Sequence, residues 1–211
     1  MTNRFSSEDK NQFEWETSST YDSLGRTIGE FFVEIIKVVI ISLAIIIPVR
    51  YFLIQPFYVK GASMEPSFYD HEYLIINEIA YRLGEPLRGD VVVFRYPKDP
   101  SQYFIKRIIG LPGEKIKFKD GDIIIYNDAS PNGIILKEDH YLFEQTATSG
   151  LGKSEYILEE DEYFVLGDNR ESSLDSRRFG PVPRRLIIGK AWIRGWPFDK
   201  ITIFSVPSYN F

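Results

Sequence analysis

A mainly β body behind one N-terminal membrane-length helix is the fold class that this 211-residue sequence predicts. Three observations carry that expectation. The only long apolar run, Phe31 to Ile54, comes early. Beyond Phe57 the apolar residues fall into short runs separated by turn signals. Tyr and Phe are abundant, at 13 and 16 residues, alongside many Ile and Val. Such β-branched and aromatic runs favour strands over helices.

Residues 1–30 read as a polar tail, with a helix beginning within Leu24 to Glu30. Residues 31–54 read as a transmembrane helix, because a bilayer span needs about 20 mostly apolar residues. Its uncharged centre, Val38 to Val49, is shorter, so Lys37 and Arg50 must snorkel near its ends. A buried core helix and a cleaved secretory signal are the alternatives. Basic residues are nearly balanced on either side of the run, so they do not orient it.

Residues 55–211 read as the β-rich domain. Its candidate strands are Glu72 to Asn77, Asp90 to Arg95, Tyr103 to Ile109, Lys115 to Phe118, Asp122 to Tyr126, Glu162 to Leu166, Leu186 to Ile193 and Ile201 to Phe204. Asp120-Gly121 is a strong two-residue hairpin signal. The polar stretch at about 127–153 reads as an excursion from the core.

Composition narrows the chemistry. A net charge of -5 and the absence of any Lys/Arg run argue against a nucleic-acid partner. No cysteine is present, which removes thiol nucleophiles, disulfides and Cys-based zinc sites. Only two histidines occur, His71 and His140, both in charged, turn-like contexts, so neither a His-rich metal site nor a histidine base is expected.

Three stretches remain as candidates. In Lys60-Gly-Ala-Ser-Met-Glu-Pro-Ser67, Ser63 lies in a turn bordered by small residues, although an ordinary turn reads the same way. In Tyr103-Phe-Ile-Lys-Arg-Ile-Ile109, neighbours on a strand alternate faces. Two adjacent cations cannot both avoid the core if both faces are covered. Lysine, unlike arginine, can give up its proton when desolvated. A neutral Lys106 would serve as general base for a serine hydroxyl; the alternative is a solvated edge strand. In Gly167 to Gly180, an extended segment would align Ser173, Asp175 and Arg177 on one face. Asp175 would then pair with Arg177 or Arg170, and the Ser173 hydroxyl would orient a lysine amine.

Gly-x-Ser-Met-x-Pro after an apolar helix, Arg-Gly-Asp-Val-Val-Val-Phe, Ile-Lys-Arg-Ile-Ile-Gly-Leu-Pro-Gly-Glu and Gly-Asp-Asn-Arg-x-x-Ser-x-Asp-Ser-Arg follow one another in this order. Together they resemble the boxes of bacterial type I signal peptidase, a membrane-bound Ser/Lys protease, over about Phe31 to Phe204. The resemblance implies a β-rich catalytic body similar to that of the self-cleaving SOS repressors. It implies a Ser63 nucleophile, a Lys106 general base, and support from Ser173, Asp175 and Arg177. Val59 and Ile105 would line pockets for small side chains, and the Ser63 N–H would help to hold the oxyanion. Some members carry a serine two positions before the nucleophile; here Gly61 stands there. Ser67 replaces a frequent threonine.

The implied activity is removal of signal peptides from exported preproteins, without metal or cofactor. The implied partners are signal peptides, the lipid bilayer and a nearby secretion translocon. The implied location is a single-pass cell-membrane anchor with an extracytoplasmic catalytic domain. Ser63 is at most about 30 Å of extended chain from Ile54. Phe52, Phe57, Tyr58, Phe68 and Tyr69 are candidates for seating the body at the lipid interface. A non-catalytic tethered binder and an autocleaving regulator are the competing functions.

Overall fold

The computed structural model describes residues 29–48, 54–143, 146–205 and 209. The polar tail, Arg50 and Phe52 lie outside these residues.

Helix α1 spans Gly29–Pro48 and is long and apolar enough to cross a membrane. Pro48 has no N–H to carry the helical ladder onward. The apolar run itself continues past it. Ile54, read above as the end of the helix, instead opens a strand, β1 (Ile54–Tyr58).

The body is β throughout its core. After β1 come β2 (Tyr73–Asn77), a short α2 (Ala80–Leu83), β3 (Val91–Tyr96), β4 (Asp99–Gly110), β5 (Lys115–Lys119), β6 (Asp122–Asn127), β7 (Ser130–Ile135), β8 (Glu155–Ile157), β9 (Glu162–Leu166), α3 (Ser176–Phe179), β10 (Val182–Pro183), β11 (Ile187–Trp196) and β12 (Thr202–Ile203). Among the described residues they form two sheets. The larger runs β1-β2-β11-β3-β4-β9-β10 with β12 on β11, and the smaller runs β7-β6-β5-β8.

Alternation explains how β4 is buried. Phe104 and Ile108 join the cluster of Val92, Phe94, Val165 and Ile187. Ile105 packs on Val59, Met64, Leu74 and Val93, whereas Ile109 belongs to the cluster under the smaller sheet. Both faces of β4 are therefore covered from Phe104 onward. The Asp120-Gly121 turn closes β5 onto β6, with φ of 56° and 92° at its two residues. Such left-handed pairs match the twist of a two-residue hairpin. The stretch read as an excursion partly belongs to the smaller sheet: β7 pairs with β6.

Candidate active site

Ser63 lies in the loop between β1 and β2. The base of that loop is closed by the Val59 N–H to the Glu72 carbonyl at 2.8 Å and the His71 N–H to the Val59 carbonyl at 3.1 Å. Met64 and Phe68 are buried beneath it at 0% and 1% exposure, and the Phe68 N–H donates to the Met64 carbonyl. Phe68 is thus a core anchor, not an interface residue; Tyr58 and Tyr69 are exposed. Gly61 has a φ of 89°, in the left-handed region, and its N–H donates to Asp70 Oδ1 at 2.8 Å. A side chain at Gly61 would meet open space but a strained backbone.

Lys106 reaches this turn from β4. Its Nζ lies 2.7 Å from Ser63 Oγ and 2.7 Å from the Ile105 carbonyl oxygen. Burial drives its pKa from the ordinary lysine value down to about 8, against the opposing pull of the Asp175 and Asp168 carboxylates. The amine is therefore substantially neutral at mildly basic pH, when it can accept the serine proton. No histidine takes this place. His71 hydrogen-bonds the exposed Tyr58 hydroxyl, and His140 packs its ring on Tyr141. Among the described residues, no group of three or more His, Cys, Asp or Glu side chains is placed to hold a metal ion.

The loop after β9 forms the second wall. Asp175 does not sit on an extended segment with Arg177, as alternation suggested; it caps α3. Its Oδ1 accepts from the Arg177 N–H, and its carboxylate accepts from Arg177 Nε and Nη2 at 2.9 and 2.8 Å. Short acceptor side chains favour such a cap over continued strand. Of the two possible partners for Asp175, the structure selects Arg177; Arg170 instead forks onto Glu138 at 2.6 and 2.8 Å.

Ser173 is buried beside the dyad, yet its Oγ has no hydrogen-bond partner. The lysine amine donates to Ser63 and to the Ile105 carbonyl, and the expected Ser173–Lys106 contact is not made. Gly167 has to be glycine here: an added Cβ would fall 2.3 Å from Ser173 Oγ and 2.4 Å from the Ser63 carbonyl oxygen.

Val59 and Ile105 meet in one apolar cluster next to Ser63. Among the described residues, no acceptor takes the Ser63 N–H. Two features were missed in the sequence. Arg107 forks onto Asp168 at 2.8 and 2.6 Å and also reaches the Gly89 carbonyl and Ser67 Oγ. Asn169 binds the Ser63 turn directly. Both lie in the quoted boxes, but their partners are too distant in sequence for spacing to reveal. A cavity of about 510 Å³ opens beside Ser67, Phe68, Arg107, Tyr141 and Lys190, and does not include the dyad.

A family model described as "Signal peptidase, peptidase S26" matches residues 32–196. The probable signal peptidase I-2 of Synechocystis sp. is 34% identical over 177 residues, covering 82% of this chain and 77% of that protein. Signal peptidase IB of Staphylococcus aureus is 33% identical over 180 residues, 81% of this chain and 90% of that one. Signal peptidase I of Leptolyngbya laminosa is 35% identical, covering 82% and 85%. A solved signal peptidase I from Enterococcus faecalis V583 shares 31% identity over 51% of this chain and 97% of its own, with a TM-score of 0.40.

Proposed function

The chain belongs to the signal peptidase (peptidase S26) family, with the type I activity of a serine peptidase, and from that premise we propose that Ser63 is its nucleophile and Lys106 its general base. The observation that carries this reading is the 2.7 Å contact between a buried lysine amine and the serine hydroxyl. Ser63 Oγ attacks the scissile carbonyl while Lys106 Nζ takes its proton. The Ser63 N–H stabilises the oxyanion. When the tetrahedral intermediate collapses, the C–N bond breaks and Lys106 returns the proton to the leaving amine. Water, deprotonated in turn by Lys106, then hydrolyses the acyl-enzyme and frees Ser63.

Asp175 and Arg177 brace the loop wall, and Ser173 lies across Gly167 from the Ser63 carbonyl. The substrates are signal peptides of exported preproteins, cut after small residues that fit the Val59–Ile105 cluster. The sequence ahead of α1 is a polar tail, α1 (Gly29–Pro48) is a single membrane-crossing segment, and the chain from β1 onward is the catalytic domain on the extracytoplasmic side, near the translocon. The apolar α1 and the family support this arrangement.

The test uses purified, detergent-solubilised protein, a preprotein with an Ala-x-Ala site, and N-terminal sequencing of the product. Wild type is expected to release the mature N-terminus, whereas Ser63→Ala and Lys106→Met lose processing by at least about a thousandfold. Retained processing in either variant overturns the dyad.

A further inference from the structure

The peptide planes on either side of Ser63 are both held by one residue, Asn169. Its Nδ2 donates to the Ala62 carbonyl oxygen at 3.1 Å, and its backbone N–H donates to the Ser63 carbonyl oxygen at 3.1 Å. Its Oδ1 accepts from the Ser172 N–H at 3.2 Å, which fixes which end of the amide faces Ala62. The neighbouring Asp168 is locked onto Arg107 of β4, so Asn169 is presented from a rigid support.

A peptide bond is planar and trans, so its C=O and the N–H that follows point in opposite directions. Fixing the Ala62 carbonyl therefore fixes the direction of the Ser63 N–H. Fixing the Ser63 carbonyl does the same for the Met64 N–H. We propose that Asn169 is a positioning residue for catalysis: by gripping Ala62 it aims the Ser63 N–H at the developing oxyanion. The proposal rests on the reading of Ser63 as nucleophile. Asparagine suits the task because one short side chain both donates to Ala62 and accepts from Ser172; aspartate keeps only the second ability.

The experiment compares Asn169→Ala, Asn169→Asp and Ser63→Ala with wild type in full-length, detergent-solubilised protein. It reads kcat, KM, the pH profile of kcat/KM and the melting temperature. Complete loss of an oxyanion donor costs about 10²- to 10³-fold in kcat. Misaiming one is expected to cost less, about tenfold to a hundredfold. Asn169→Asp should be the slower variant, because its carboxylate faces the Ala62 carbonyl. KM is expected to stay within about threefold. In Asn169→Ala, which adds no charge, the midpoint of the acid limb should not move, whereas the new carboxylate of Asn169→Asp should move it upward, as the Asp168 carboxylate already does.

Wild-type kcat in both Asn169 variants overturns the clamp. So does a loss accompanied by a shifted midpoint in Asn169→Ala, a loss carried by KM, or failure of both variants to fold. Ser63→Ala separates the two levels. If it is inactive while the Asn169 variants are normal, only the clamp fails. If it processes normally, the nucleophile assignment fails and the clamp with it.

Discussion

Lys106 and Arg107 are neighbours on β4 and equally withdrawn from water, at 4% and 5% exposure. Their surroundings differ. Arg107 meets a carboxylate head-on: Asp168 takes two of its N–H groups, with Gly89 and Ser67 accepting others. Lys106 meets a hydroxyl and a carbonyl, and the carboxylates that influence it, Asp175 and Asp168, act on it without a hydrogen bond. One cation is neutralised by a partner and becomes part of the frame. The other is left able to shed its charge and, in the mechanism proposed above, serves as the base. Burial alone therefore does not make a catalytic lysine; burial without a bonded counter-ion does.

Removing the counter-ion from the arginine side should have the largest effect on stability. Asp168→Ala leaves a guanidinium buried and unpaired, at an expected cost of about 3–5 kcal/mol in denaturant unfolding. A cost under about 1 kcal/mol would mean that Arg107 is not held as described. The lysine side should respond with the opposite sign. A folded-state pKa near 8, below the unfolded value of about 10.4, means that the unfolded chain binds more protons between those two pH values. Stability contributed by this group therefore rises with pH across that window and is at its lowest below about 8. Lys106→Met removes a desolvation penalty of about 3 kcal/mol at neutral pH, so the inactive variant should unfold no more easily than wild type at pH 7. A markedly less stable Lys106→Met would show that the protonated amine is satisfied in the folded chain rather than penalised by burial.

The smallest effect sharpens the same contrast. The Asp175 carboxylate holds the Lys106 pKa up. Asp175→Asn should therefore move the acid limb of kcat/KM to lower pH, while loosening α3 through the lost Arg177 contacts. An upward shift would contradict the electrostatic assignment.

Much of this contrast was legible in the sequence. Period-two runs located most of the strands, Asp120-Gly121 marked its hairpin, and adjacent Lys106-Arg107 in an apolar strand required at least one buried cation. Other features were hidden for physical reasons. Pro48 can end a helix, but the apolar run continues past it, so Ile54, the first residue of β1, was read with the membrane segment. Alternation after Gly167 suggested an extended segment, but Asp175 as a cap starts a helical turn there. The Arg107–Asp168 and Asn169–Ala62 contacts join residues more than sixty positions apart. Only the folded chain brings them together.

The central claim concerns the proton on one amine, and side-chain NMR titration of Lys106, assigned by comparison with Lys106→Met, reads it directly. The amine is expected to titrate near pH 8, with processing rising through the same midpoint. Titration near the free-lysine value of about 10.4, while processing is already at its plateau, would contradict the account.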